Sequence, residues 1–277
     1  MQKKPSPLII FVIPVLVLAC SFLSSGENPT PTPKPVSTSL FRMEGEDIFC
    51  SSENAEAKKL YNDAGVLKQK GNFAEAEKLY EEAIKLDPNY CDAMDNLGQL
   101  LRQQNKIEEA IGWYKKSLEI KPDNTVALQN LALAYNIQGQ TQKSIETYEK
   151  LTEVAPNNPE GFFGLGTIYF RLEQPEKAIP YFETAETLYK REASPYVADA
   201  QYYLGFSYLL LEDCANVTKY FVPIYSQFST DGGINYGLGV CYLQLDPNNP
   251  DKAREFILKA KEAGIQIPPE IMKAIGE

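Results

Sequence analysis

A chain of 277 residues has room for one large or two small domains, and 44% hydrophobic residues is too much apolar content for disorder throughout. With 37 acidic side chains against 27 basic ones the formal charge is −10, so the surface repels phosphates and anionic headgroups; this argues against nucleic acid or a polybasic membrane patch. Histidine is absent, which removes the commonest general base and the commonest zinc ligand together, and no catalytic, metal or cofactor residue is expected.

Lys3 and Lys4 precede an apolar run from Leu8 to Ala19 that ends at Cys20. That run is too short to cross roughly 30 Å of hydrocarbon as a helix and has the length of a signal-peptide core. A short membrane anchor continuing through Phe22 and Leu23 is the alternative, at about 16 residues just under the usual span. The ending "VLAC" resembles a bacterial lipobox, although Leu18 is bulkier than the residue often found there. The resemblance implies that residues 1–19 are a signal peptide and that Cys20 is acylated as the new N-terminus. Residues 20–50 then form a lipid-anchored linker. Within it Pro29, Pro31, Pro33 and Pro35 alternate with Thr and Lys, a composition that gives an extended spacer and cannot bury a core.

From Ala57 onward the sequence repeats. Units 57–90, 91–124 and 125–158 align without a gap, and 159–192 follows. After an insertion containing Pro195 a fifth unit fits 198–231, and a sixth fits 232–267 with extra residues near Pro247. The eighth position is always small (Ala64, Gly98, Ala132, Gly166, Gly205, Gly239) and the twenty-fourth large (Tyr80, Tyr114, Tyr148, Phe182, Phe221, Ile257). That pattern predicts two antiparallel helices per unit that approach closely at the small residue. Pro88, Pro122 and Pro156 end the second helix, because proline lacks an N–H and disfavours helix in the residue before it. Pro180 and Pro223 fall inside predicted second helices; the first is near a helix start, and the second is where an interior proline costs roughly 3 kcal/mol unless a kink absorbs it. "IPPEIMKAIGE" predicts a short amphipathic capping helix over 268–277.

Period, small eighth and twentieth positions, aromatic twenty-fourth and terminal proline together resemble the tetratricopeptide repeat family, here of bacterial lipoprotein type. The departures are the absence of Trp at position 4, Asp63 in place of Leu, and repeats 4 to 6 without the terminal proline. The resemblance implies an all-α fold, an α-α superhelix of about six helix pairs over 51–267. Its first helices would line a concave groove at positions 2, 5, 6, 9, 12 and 13. Position 6 is asparagine three times running, Asn62, Asn96 and Asn130, and an amide that both donates and accepts can pair with the backbone of an extended peptide. Asparagine also stands at this position without a ligand. Phe163, Phe170, Tyr202 and Tyr236 fall at inward positions too, where exposed rings suit peptide side chains or another helix; the alternative is that irregular repeats pack these rings away. The family's carboxylate clamp is matched only at Asn96.

The resemblance also constrains the remaining cysteines. Helices that run antiparallel bring Cys214, at the start of one, beside Cys241, late in its neighbour; Cys50 and Cys91 belong at one end of roughly parallel helices. Pairs Cys50–Cys91 and Cys214–Cys241 are therefore expected outside the cytoplasm, against four reduced, buried thiols inside it. The function implied is a non-enzymatic, lipid-anchored scaffold in the bacterial envelope, bound to the membrane through its N-terminal lipid, whose partner is a protein or peptide. Pilus, secretion or envelope assembly are the settings such lipoproteins suggest. A carboxylate enzyme supported by the repeats and a membrane-anchored cytoplasmic adaptor are the alternatives.

Overall fold

A computed structural model describes residues 50–277, and the described residues form thirteen helices with no strand. The signal segment, Cys20 and the linker up to residue 49 lie outside the described residues. Residues 50–200 make one compact unit and 201–277 another.

In residues 50–200 the helices come in pairs: α1 (Ala55–Gln69) with α2 (Phe73–Leu86), α3 (Cys91–Gln103) with α4 (Ile107–Ile120), α5 (Thr125–Ile137) with α6 (Thr141–Val154), and α7 (Pro159–Arg171) with α8 (Pro175–Arg191). Each pair also packs on the next, and the first helices touch one another, α3 on α5 and α5 on α7. This is the consecutive stacking of an α-α superhelix. The boundary between the units falls inside α9 (Val197–Leu210). Residues 201–277 carry the rest of that helix, α10 (Cys214–Ile224), α11 (Gly232–Leu245), α12 (Asp251–Glu262) and α13 (Pro269–Ala274).

The small-over-large columns set the distance between the helices of a pair. A Cβ placed on Gly98 would come within 2.5 Å of the Tyr114 ring, one on Gly166 within 2.7 Å of Phe182 and one on Gly239 within 2.5 Å of Ile257. Backbone thus lies against ring or branched chain, and the large member is fully buried: Tyr114, Phe182 and Ile257 are all 0% exposed. Where alanine stands instead, as at Ala64 and Ala132, it is equally buried.

Local chemistry marks the helix ends. Asn54, Asn124 and Asn158 accept hydrogen bonds from first-turn N–H groups of α1, α5 and α7, and Asp213 and Asp231 do so for α10 and α11. After Pro122 and Pro156 the polar turn therefore caps the next repeat, whereas after Pro88 the cap position is Tyr90, which makes no side-chain cap bond. Position 15 turns left-handed in each of the first five repeats, with φ of 80° at Gly71, 62° at Asn105, 73° at Gly139, 55° at Glu173 and 57° at Glu212. Pro180 lies inside α8. Pro223 causes no interior break, because α10 simply ends at Ile224, one residue later. At the C-terminus α13 lays Ile271 and Ile275 (1% and 0% exposed) against Ala253, Ile257 and Ala260, and Arg254 Nε donates to the Ile275 carbonyl at 2.6 Å.

Candidate functional site: the inner face of the first helices

In residues 50–200 the inward positions of α1, α3, α5 and α7 are joined from repeat to repeat by side chains. Asn96 Nδ2 donates to the Tyr61 hydroxyl at 2.9 Å, and the Lys68 ammonium donates to Gln99 Oε1. Gln129 Nε2 donates to Glu160 at 3.2 Å and Arg171 donates to Asn136 Oδ1 at 2.7 Å. The face is polar and mostly half-buried.

The three asparagines sit on consecutive first helices and differ in how they are held. Asn62 is exposed and has no hydrogen-bond partner among the described residues. Asn96 spends both amide hydrogens, one on Tyr61 and one on the Asp92 carbonyl at 3.0 Å, leaving Oδ1 to accept. Asn130 donates to the Val126 carbonyl at 3.0 Å, one turn earlier on its own helix. Two of the three amides are thus oriented by an i−4 bond to their own backbone before any ligand arrives.

Carboxylates occupy the N-terminal ends of the same helices, and burial governs them. Asp95 is 3% exposed; desolvation pushes its pKa up to about 7, opposed by hydrogen bonds from Ser117 and Asn124. Asn124 Nδ2 reaches Asp95 Oδ2 at 2.7 Å, while Oδ1 is buried without a partner among the described residues. Glu160 is raised chiefly by burial, and it accepts from the Tyr189 hydroxyl at 2.7 Å. Asp92, also raised by burial, accepts from the Cys50 N–H at 3.0 Å. Each carboxylate is held by neighbours within the fold, with no reacting group aimed at open space.

Position 5 has a different job from the one expected of it. Asp95 holds Asn124, the residue that caps the helix of the following repeat. In residues 201–277 Tyr202 does the same, its hydroxyl donating to the cap residue Asp231 at 3.2 Å. Tyr61 packs its ring on Tyr90, at the same place in the first repeat, with centroids 5.1 Å apart. Position 5 therefore orients the start of the next helix pair.

Of the rings expected in a binding groove Tyr236 is packed away, whereas Phe163 and Tyr202 are half-buried against other rings. Tyr236 is 2% exposed, covered by Ala253, Ile257, Ala260 and the two isoleucines of the C-terminal segment, so it belongs to the core and not to a groove. Phe163 meets Phe182 and Tyr189 edge-on at 5.7 and 6.1 Å, turned toward α8. Tyr202 lies among Tyr203, Phe206 and Phe228, with centroids 4.7 Å from Phe206. Gly233 leaves room for the Phe206 ring, which a Cβ there would meet at 2.9 Å, and Gly164 leaves room for Tyr148 of the preceding repeat. Phe170 remains half-buried.

The structure joins Cys50 to Cys91 and Cys214 to Cys241, with Cα separations of 5.2 and 4.9 Å, inside the usual range for disulfides. The first ties the segment before α1 to the start of α3, where Asp92 N also donates to the Cys50 carbonyl at 3.3 Å. Among the described residues no group of three or more His, Cys, Asp or Glu could hold a metal ion, and no helix is long and apolar enough to cross a membrane.

A row that the sequence reading passed over is cationic: Lys68 and Arg102 at position 12 and Arg171 at position 13, all in the last turns of first helices. The signal was present in the columns, masked by the acidic total.

Family models described as tetratricopeptide repeat match residues 55–123, 113–146 and 159–191, and one described as TPR repeat matches 132–173. Among solved structures the chain is similar to YrrB, titled a TPR protein with an unusual peptide-binding site, at 24% identity and TM-score 0.56 over 71% of this chain and 95% of that one. It is similar also to MamA 41-end from Desulfovibrio magneticus RS-1, at 20% identity and TM-score 0.55 over 65% and 99%. No curated protein matches the chain in sequence.

Proposed function

Because the chain is a tetratricopeptide repeat protein, we propose that it is a scaffold whose first helices in residues 50–200 bind a protein segment or extended peptide. The observation that carries this is the asparagine series. Asn62 has no partner among the described residues and Asn96 keeps its carbonyl, while back-bonds hold Asn96 and Asn130 in one orientation. An extended backbone offers the alternating donors and acceptors that such amides can meet regardless of side chain. YrrB, whose title names a peptide-binding site, is a precedent in fold only.

The finer part of the proposal is location. Cys20 would carry a lipid, the proline-rich linker would set the distance from a bilayer, and the repeats would work outside the cytoplasm in pilus, secretion or envelope assembly. Two disulfides support an oxidising compartment and disfavour a cytoplasmic adaptor. Catalysis is no part of this reading, since the buried carboxylates are engaged within the fold.

The test combines two variants. Replacing Asn62, Asn96 and Asn130 together by alanine should weaken binding of unstructured peptides tenfold or more in fluorescence anisotropy, at about 0.5–1.5 kcal/mol per lost bond, with helicity kept. Unchanged affinity would remove the groove from the function. Cys20→Ser should abolish fatty-acid labelling in cells, and continued labelling would remove the anchor.

A further inference from the structure

The charge on the inner face of residues 50–200 is sorted by position. At the N-terminal ends of the first helices Asp92, Asp95 and Glu160 are engaged inside the protein, by the Cys50 N–H, by Asn124 at one oxygen of Asp95, and by Gln129 with Tyr189. At the C-terminal ends stand Lys68, Arg102 and Arg171, and among the described residues none has a carboxylate within 4.0 Å. A few lysines of the same unit do find one, Lys106 with Glu77 at 3.0 Å and Lys190 with Glu186 at 2.7 Å, but most do not. What sets these three apart in a chain of formal charge −10 is their common place at the C-terminal ends of the inner face.

Helix ends supply part of it, because the partial negative charge of a C-terminus favours cations in the last turn. That preference is met equally well by a side chain reaching into solvent. Lys68 and Arg102 instead lie near one another and half-buried, while Arg171 stays exposed. Lys68 Nζ donates to Gln99 Oε1, one turn from Arg102 on the same helix. Burial, together with the Arg102 charge, lowers the Lys68 pKa to about 8. Arg102 Nε is buried with no hydrogen bond among the described residues, and the guanidinium lies beside the buried Tyr114 hydroxyl, where it works against the rise that burial imposes on that hydroxyl's pKa. Arg171 spends one hydrogen bond on Asn136 Oδ1, which fills the same place in the repeat between. A desolvated cation pair with a buried N–H left over is unfavourable alone and becomes favourable when an anion enters.

Resting on the peptide-binding reading above, we infer that Lys68, Arg102 and Arg171 form an anion-reading edge of the inner face, and that the extended segment bound there presents Asp or Glu side chains to it. The asparagines hold the backbone without regard to sequence; the cation row supplies selectivity. It also lets an acidic protein accept an acidic partner, since the local field at the row opposes that of the surface as a whole.

Three labelled dodecapeptides of one length test this, bearing four Glu, four Gln or four Lys at the same positions, titrated into the disulfide-intact protein. The Glu peptide should bind about tenfold tighter than the Gln peptide, with the preference shrinking as salt rises. Lys68→Gln, Arg102→Gln and Arg171→Gln together should erase the preference, bringing the Glu and Gln peptides to equal affinity. Arg171→Gln alone changes an exposed side chain and should remove part of the preference even if the triple variant unfolds. The triple asparagine variant should weaken all three peptides alike. Equal affinity for Glu and Gln peptides, both weakened by the asparagine changes, overturns the anion edge and leaves the groove standing. No measurable binding of any peptide overturns both. A sulfated polysaccharide that displaces the Glu peptide and binds more tightly overturns the peptide assignment in favour of a polyanion.

Discussion

Repeats 2 and 5 are built from the same helix pair and present opposite chemistry at the same positions. At positions 5, 6 and 9 the second repeat has Asp95, Asn96 and Gln99, whereas the fifth has Tyr202, Tyr203 and Phe206. The polar set is tied by hydrogen bonds from helix to helix; the aromatic set is packed ring on ring, with Phe206 edge-on to Phe221 at 4.9 Å. What differs is which residues remain for something else. Hydrogen-bonding groups have more donor and acceptor capacity than one neighbour consumes, so Asn62 and the Asn96 carbonyl stay open. The aromatic set leans on other rings and stays half-buried, with an apolar face in place of open amide groups. The family scaffold tolerates both because position 8 against position 24 sets the pair spacing in each region, leaving the inward positions free to vary.

The largest effect expected to separate the regions is at Phe221, which is 0% exposed beneath Gly205. Phe221→Ala should cost about 3–5 kcal/mol and speed hydrogen exchange across residues 201–277. If exchange there were unchanged, the aromatic set would not be core. Next come the disulfides: Cys214→Ser with Cys241→Ser, and separately Cys50→Ser with Cys91→Ser, should each remove about 2–4 kcal/mol by urea melts. Helicity should be retained, and each loss should be confined to the unit that holds the bond.

A smaller effect has a sign set by pH. Asp95 has its pKa raised from 3.8 to about 7 by burial, so the folded protein binds this proton more tightly than the unfolded chain. Its contribution is present in full below pH 3.8 and is lost as pH rises through about 7. Asp95→Asn keeps an acceptor for Asn124 and removes the buried charge. It should flatten the decline in stability between about pH 4 and 7, and at pH 8 be more stable than the parent by about 1–3 kcal/mol. A variant that is less stable at pH 8 would show the carboxylate itself to be needed. The smallest pair sharpens the contrast at single atoms. Tyr202→Phe loses the bond to Asp231 and should cost about 0.5–1.5 kcal/mol, whereas Asn62→Ala, at an exposed and unpartnered amide, should change stability by under about 0.5 kcal/mol.

The columns of small and large residues, the proline stops and the asparagine turns were all legible before any coordinates, because each is a constraint between residues within one repeat. The period alone placed the helix pairs, and helix direction was enough to put Cys214 beside Cys241 and Cys50 beside Cys91, the pairs the structure joins. Among the inward-facing aromatics Tyr236 was the one misread. Whether Tyr236 lines a groove or lies in a core depends on α13 folding over it, and α13 begins more than thirty residues later. Likewise the turn of Phe163 onto Tyr189, the bond from Tyr202 to Asp231 and the row of unpaired cations each depend on side chains of separate helices. A repeat pattern states which face a residue is on. Whether that face is already occupied is decided by the neighbouring layer, since burial, hydrogen-bond satisfaction and charge pairing are properties of contacts between elements and have no period in the chain.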